Sequence, residues 1–212
     1  PGTYQATMAS GKQVRVDADP GAPVEIAGPW RVRFAPGGGV PEEVALDTLL
    51  SWSEHANPGV QHYSGEAMYT VSFTMPGGFA DAHREWRLDL GDVRVMARVS
   101  VNGKDFGVLW KRPFHADVTA ALKAGENTLE VRVVNLWVNR LIGDEKLPDD
   151  SRRYPEGNLA EWPEWLLKGD PSPAGRTTFT TWRVWHADDP LQPSGLLGPV
   201  ILQPVQQIRL AE

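Results

Sequence analysis

Apolar and polar residues alternate over several stretches of the chain. In residues 86–90 every second residue is apolar, and the same two-residue period runs through 69–75, 93–101 and 128–133. A strand with one buried and one wet face has this period, because successive side chains point to opposite sides of a sheet. A single wet face is typical of antiparallel sheets. Since no segment has three or more turns of helical periodicity, the pattern predicts an all-β fold.

Turn signals separate the predicted strands. Asn102-Gly103 accepts the positive φ angles of a tight type I′ turn and therefore predicts a β-hairpin. Residues 117–122 predict one helical turn, capped by Asp117 or Thr119. Residues 46–52 are the best candidate for a short helix.

Residues 135–175 interrupt this pattern. They contain Trp137, Trp162, Trp165 and several prolines, and they have no clear periodicity. A connection of about 40 residues in a compact domain is either functional or disordered, and the tryptophans argue against disorder. We interpret the segment as a large ordered loop, and we expect strands to resume at 177–185 and 199–210.

The chain divides into two predicted parts. Residues 1–27 have the character of a lead-in, a strand followed by a linker, and residues 28–212 form one β-sandwich. A length of 212 residues suits one large sandwich, and 41% hydrophobic residues suffice for a core.

Charge and composition exclude several classes of protein. The net charge is −6 and no block of Lys or Arg exists, so nucleic acid is not an expected partner. No run approaches the ~18 apolar residues of a membrane span. The absence of cysteine excludes disulfides, thiolate zinc sites and a cysteine nucleophile. Nine tryptophans are many for this length, and sugar-binding surfaces use flat aromatic rings.

A set of motifs, taken in order, resembles a known family. The motifs are Gly28-Pro29-Trp30, Tyr63-Ser64-Gly65-Glu66-Ala67-Met68-Tyr69, Leu88-Asp89-Leu90-Gly91, Val99-Ser100-Val101-Asn102-Gly103, Pro113-Phe114, Asp117-Val118-Thr119 and Gly125-Glu126-Asn127-Thr128-Leu129. The set is similar to the sugar-binding jelly-roll domain of family 2 glycoside hydrolases, a galactose-binding-like β-sandwich. It more closely resembles the C-terminal region of family 106 α-L-rhamnosidases, which carries stretches like residues 135–144 and 194–199. The resemblance covers residues 28 to about 203.

The resemblance implies an antiparallel, galactose-binding-like jelly roll with a long Pro/Trp-rich insertion. It also implies a non-catalytic, carbohydrate-associated domain of a bacterial rhamnosidase-like hydrolase, secreted or periplasmic. The implied partners are a rhamnose-containing glycan, the catalytic domain of the same parent chain, or both. The alternatives are a purely structural module between domains, without sugar binding, and, more distantly, α-L-rhamnosidase activity of the chain itself. We expect no catalytic residue, because a separate barrel domain carries catalysis in the resembled enzymes.

The strongest candidates for a ligand site follow the 128–134 strand: Trp137, Asn139, Arg140, Asp144 and Glu145. An indole can stack on the apolar face of a sugar ring, and a guanidinium can donate a forked pair of hydrogen bonds to hydroxyl groups or a carboxylate. The alternative is that Arg140 pairs with Asp144 and fastens the long loop, since buried polar networks commonly order such loops.

Three further tryptophans are candidates for sugar platforms: Trp110, Trp162 and Trp165. Packing in the core is the alternative for each, because an indole buries a large apolar area. No cofactor is expected, and the histidines lack metal-binding spacing. A structural calcium ion at Asp149-Asp150 or Asp188-Asp189 stays open, although paired acids on loops are usually solvated.

Overall fold

A computed structural model describes residues 1–79, 84–208 and 210. Strands make up 40% of it and helices 11%, and the sheets are antiparallel, so the predicted all-β sandwich is confirmed. The strands are β1 (Gly2–Thr7), β2 (Gln13–Ala18), β3 (Val24–Glu25), β4 (Trp30–Phe34), β5 (Glu43–Leu46), β6 (Glu66–Met75), β7 (Arg84–Asp89), β8 (Asp92–Arg94), β9 (Met96–Val101), β10 (Lys104–Leu109), β11 (His115–Asp117), β12 (Gly125–Val134), β13 (Gly195–Gly198) and β14 (Ile201–Gln206). The helices are α1 (Pro58–Gln61), α2 (Val138–Asp144) and α3 (Glu164–Lys168), with 3₁₀ turns at Trp52–Glu54 and Thr119–Ala121.

Two sheets enclose the core. The larger has the order β10-β9-β12-β6-β4-β5, and the smaller has the order β11-β7-β14-β3. Val71 and Leu129 from the larger sheet and Leu88 and Leu202 from the smaller are buried in one continuous apolar cluster. Each strand contributes alternate residues to this cluster, which is the two-residue period of the sequence. The described residues contain no helix long and apolar enough to cross a membrane.

The predicted strands at 69–75, 86–90 and 128–133 lie within or largely within β6, β7 and β12. The 93–101 run is instead divided into β8 and β9, and Val95 between them is exposed rather than buried. The hairpin at Asn102-Gly103 is present between β9 and β10. Both residues have positive φ, 51° and 78°, as a type I′ turn requires.

The helical turn expected at 117–122 occurs at Thr119–Ala121, where Asp117 Oδ1 accepts a hydrogen bond from Thr119 N at 3.0 Å. The short helix expected at 46–52 is wrong, because the hydrogen bonding of β5 continues to Leu46 and the 3₁₀ turn begins only at Trp52.

The strand expected at 177–185 is also wrong. Its only ladder contact in the described chain is an isolated bridge between Trp182 and Asn158. The amides of Thr177 and Thr178 donate to the side chain of Asp144 instead of to a neighbouring strand. The strand expected at 199–210 is present in part, as β14.

Residues 1–27 contain a hairpin of β1 and β2 that pairs with no other strand among the described residues. β3 pairs with β14 of the smaller sheet, so Val24 and Glu25 hydrogen-bond to the sandwich. The division of the chain at residue 27 stays a prediction.

Gly195 lies against two buried aromatic side chains. Its φ is +99°, and an added Cβ would lie 2.7 Å from Tyr69 Oη and 2.8 Å from Trp52 Nε1. Burial raises the pKa of Tyr69 well above its usual value, and its hydroxyl oxygen accepts a hydrogen bond from Leu196 N. The close approach fixes β13 on the core and leaves no room for a side chain.

We expect Gly195→Ala to lower the free energy of unfolding by about 3 kcal/mol, since it combines left-handed backbone strain with overpacking. Gly125→Ala is the matched control: its φ is +79° and its Cβ would meet no atom within 4 Å. The control should lose only about 1 kcal/mol. Urea denaturation of both variants measures the difference, and equal losses would contradict the packing explanation.

Candidate functional site

The segment between β12 and β13 begins with α2, which buries one side of its surface. Asn139, Ile142 and Gly143 recur at helical spacing on that side. Gly143 permits the helix to approach α1 closely, because an added Cβ would lie 2.8 Å from His62 Cβ. The predicted loop therefore begins with a short helix that packs on the sandwich.

Asn139 joins the two ends of the long segment. Its side chain is 2% exposed. Its Nδ2 donates to Gln192 O at 2.7 Å, and its Oδ1 accepts from Gln192 N at 2.7 Å. Because both ends of the amide are used, Asn139 holds the returning chain beside α2.

Asp144 is the most heavily bonded carboxylate of the segment, and only 2% of it is exposed. Its Oδ2 accepts hydrogen bonds from the backbone N and the Oγ1 of both Thr177 and Thr178, at 2.8 to 3.2 Å. Its Oδ1 lies 3.0 Å from Arg140 Nη2, so the ion pair that was the structural alternative is present. This contact lacks the alignment of a hydrogen bond, and Oδ1 and Arg140 Nε are both buried without a hydrogen-bond partner.

Glu145 belongs to a second charge network. One carboxylate oxygen lies 2.9 Å from Arg176 Nη1 and the other 2.8 Å from Arg183 Nε, while Asp149 contacts both arginines. Arg176 also donates to the carbonyl oxygens of Leu147 and Pro148. No local sequence pattern singles out the two arginines, because their partners lie about thirty residues away along the chain.

His62 is a buried titratable residue that sequence reasoning missed. Its Nδ1 donates to Pro58 O at 2.8 Å, and its Nε2 lies 3.2 Å from Lys146 Nζ and accepts from that ammonium group. Burial is the main cause that lowers the pKa of His62, and the charge of Lys146 lowers it further, against the opposing effect of the Pro58 carbonyl. The imidazole is therefore held neutral beside α2.

Two of the candidate residues line a cleft that we name the Trp137 cleft. Its other walls are the turn at residues 35–38, residues 63–65 and the threonines that bind Asp144. The volume is about 300 Å³. Trp137 is 70% exposed, and Arg140 Nη1 lies 3.5 Å from Gly38 O. The cleft thus places an exposed indole beside hydroxyl and guanidinium groups.

A second cleft, which we name the Trp110 cleft, lies at another edge of the molecule. It is lined by Val93, Arg94, Val95, Trp110, Arg112, Phe114, Leu136, Val138, Asn139, Gln192, Pro193 and Ser194, and its volume is about 320 Å³. Trp110 is 67% exposed.

Trp162 and Trp165 lie in a third place. Each packs on Phe179 with ring centroids 5.9 Å apart. Trp165 is partly buried and donates from Nε1 to Asp150 O at 2.9 Å, while Trp162 is more than half exposed.

The eight predicted ligand residues therefore do not converge on one site. Trp137 and Arg140 share one cleft, Trp110 and the buried Asn139 line another, and Asp144 and Glu145 are bonded to the chain itself.

No group of three or more histidine, aspartate or glutamate side chains is arranged to hold a metal ion in the part of the chain that the structure describes. Asp149 is bound to arginines, Asp150 Oδ2 accepts a hydrogen bond from Ser172 Oγ, and Asp189 accepts one from His186 N.

We expect Asp144→Asn to lower the free energy of unfolding by about 3 kcal/mol, because an amide would place N–H groups against existing donors and would leave Arg140 without its counter-charge. Asp188→Asn, at an exposed position, is the control and should change stability by less than about 0.5 kcal/mol. Chemical denaturation measures both. A loss no larger than that of the control would contradict the role assigned to Asp144.

The lowered pKa of His62 predicts a loss of stability in acid. The unfolded chain binds a proton near the ordinary value of 6.5, whereas the folded chain resists protonation, so stability is full above that pH and falls as the pH decreases. His62→Gln should flatten this dependence between about pH 7.5 and 5.5. His186→Gln, at an exposed position, should retain it. Thermal melts across this range test the prediction, and identical profiles for the two variants would refute it.

Known proteins with a similar sequence or fold are glycoside hydrolases by name. A curated protein of Formosa agariphila named "Putative beta-glucuronidase" is 45% identical over 203 residues, which are 94% of this chain and 17% of that protein. The solved rhamnosidase from Novosphingobium sp. PP1Y is 36% identical with a TM-score of 0.69, over 90% of this chain and 16% of that one. No family model matches the chain.

The likeness extends to more distant structures in fold alone. β-D-glucuronidase from Dictyoglomus thermophilum is 19% identical with a TM-score of 0.55, over 88% of this chain and 28% of that one. This chain thus spans about one sixth of the length of the Formosa protein and of the solved rhamnosidase. The resemblance predicted from the motifs is confirmed: the chain is similar to a single domain of much longer glycoside hydrolases.

Proposed function

We propose that this chain is a non-catalytic accessory domain of a rhamnosidase-like glycoside hydrolase and that its Trp137 cleft contacts carbohydrate. The match to the solved rhamnosidase over 90% of this chain supports the first part. Because that match takes up only 16% of the rhamnosidase, most of the longer protein remains for a catalytic domain. A glycan partner also favours a secreted or periplasmic location.

The observation that carries the sugar contact is the exposed indole of Trp137 in a cleft that Arg140 also lines. A pyranose ring has an apolar C–H face that stacks on an aromatic ring, and its hydroxyl groups require hydrogen-bond partners when they leave water. Ser64, Thr178 and Arg140, whose side chains carry hydroxyl and guanidinium groups, line the same cleft. A small cleft with an apolar platform and few polar groups is the usual form of a ligand site.

The charge of this cleft favours a neutral sugar. Arg140 is neutralised by Asp144 at 3.0 Å, and both side chains are largely buried. The pair therefore contributes donors without an excess charge, and rhamnose, which carries hydroxyl and methyl groups only, is compatible with it.

The alternative is a structural module that contacts only a neighbouring domain. The observation that favours it is a group of large apolar side chains in the long segment, each at least half exposed: Tyr154, Trp162, Leu167, Trp182 and Val184. A contiguous patch of exposed apolar side chains marks an interaction surface, and the rest of a larger hydrolase would cover these side chains. Catalysis by the chain itself has less support, because Asp144 and Glu145 are both held by arginines.

We expect titration calorimetry of the chain with rhamnose-containing oligosaccharides to detect weak binding, and Trp137→Ala to reduce the affinity roughly tenfold, about 1.4 kcal/mol. Trp182→Ala is the control, since that indole is exposed but lies outside the cleft. Both variants should keep the melting temperature of the parent chain. Indifference of the parent chain to every sugar tested would favour the structural module.

A further inference from the structure

We infer that the Trp110 cleft binds a saccharide that carries an anionic group, such as a carboxylate or a sulfate. This site is separate from the Trp137 cleft, and the inference does not depend on the proposed function. It is carried by an exposed apolar platform and a pair of arginines on the walls of one cleft.

The apolar platform lies at one end of the larger sheet, where the neighbouring strands β10 and β12 end and β9 begins. β10 ends next to the start of β9, with Leu109 opposite Ala97, and the backbone of Val95 donates to Val134 at the end of β12. The residues just beyond these strand ends are Trp110, Val95 and Leu136, and each is more than a third exposed. Adjacent strand ends therefore bring three apolar side chains to one place on the surface.

The same cleft also has a cationic part. Arg94 donates from Nε and Nη2 to Asp92 Oδ2, at 3.1 and 2.7 Å, and Arg112 Nη2 donates to Asp92 Oδ1 at 2.5 Å. One carboxylate thus pairs with two guanidinium groups. Both arginines keep further N–H donors, because each guanidinium has five.

The balance of charge at this cleft is positive. Two guanidinium groups face one aspartate, and no carboxylate is among the lining residues. Lys111 adds a further cation, with its Nζ 5.5 Å from the centre of the Trp110 ring. The chain as a whole has a net charge of −6, so the positive sign is local. A guanidinium matches the planar oxygens of a carboxylate or a sulfate.

The remaining wall is rigid before any ligand arrives. The backbone of Gln192 is held by both ends of the Asn139 amide, and Ser194 N donates to the buried Ser51 Oγ at 3.0 Å. A volume of about 320 Å³ is small for a ligand pocket and suits one sugar unit. An apolar ring face on Trp110 and an anionic substituent on Arg94 or Arg112 would use both walls together.

The test compares glucuronate with glucose, which has the same ring without the carboxylate, by calorimetry or NMR titration of the whole chain at low salt. We expect glucuronate to bind at least about tenfold more tightly than glucose. Arg112→Gln should remove most of this preference, and Trp110→Ala should weaken both sugars. Arg98→Gln is the matched control: Arg98 forms a similar exposed pair with Asp105 on the sheet face, and its loss should leave glucuronate binding unchanged.

Two further ligands test whether the site recognises any anionic sugar or any small anion. Glucose 6-sulfate offers the same charge on a different group, so preference for either anionic sugar over glucose supports the inference. If acetate binds as tightly as glucuronate, the cleft is a simple anion site, and the inference is overturned. Equal affinity for all three sugars, no binding of any, or an equal effect of Arg98→Gln and Arg112→Gln would also overturn it. Trp137→Ala should have no effect here, which distinguishes this outcome from the test of the Trp137 cleft.

Discussion

A carboxylate removed from water must be compensated by hydrogen bonds and opposite charge, and in this protein Asp144 is the group under that constraint. Its hydrogen bonds come from two consecutive threonines, 177 and 178, which are distant along the chain, and its counter-charge comes from Arg140, one helical turn before it. Leaving a buried charge unmatched costs several kcal/mol. The long segment therefore returns to α2 in one arrangement, although it contains little regular secondary structure.

The two clefts follow from this arrangement. α2 carries Trp137 and Arg140 at its start, so fastening the helix also fixes one side of the Trp137 cleft. Asn139, on the buried side of the same helix, holds Gln192 and with it one wall of the Trp110 cleft. The clefts differ in charge, because Arg140 has its own carboxylate whereas Arg94 and Arg112 share one. One helix thus supports both surfaces for which we propose chemically different sugars.

The strands of the sandwich could be predicted from the sequence because their information is local. In β6, β7 and β12 the alternation of apolar and polar residues indicates which side chains are buried. Asn102-Gly103 likewise indicates the backbone angles of its own turn. The strand expected at 177–185 was wrong for the opposite reason. Its amides bind a side chain 33 residues earlier, and no local pattern reveals such a partner.

The sequence pointed to five candidate ligand residues after β12, and their role in binding stays a prediction. Burial divides the five residues: Asn139 and Asp144 are buried, whereas Trp137 is exposed. Arg94 and Arg112 were missed, because they reach the Trp110 cleft only when the ends of separate strands are brought together. The residue types indicate which side chains are chemically able to bind a ligand. The fold determines which of those side chains are exposed to solvent.

The most direct test of this account is native-state hydrogen exchange of the backbone amides of Thr177 and Thr178, both of which donate to Asp144. If the buried carboxylate orders the long segment, these amides should exchange as slowly as those in the centre of β12. Exchange as fast as in an unstructured peptide would contradict the account, because the segment would then be free of α2 and neither cleft would have a fixed wall.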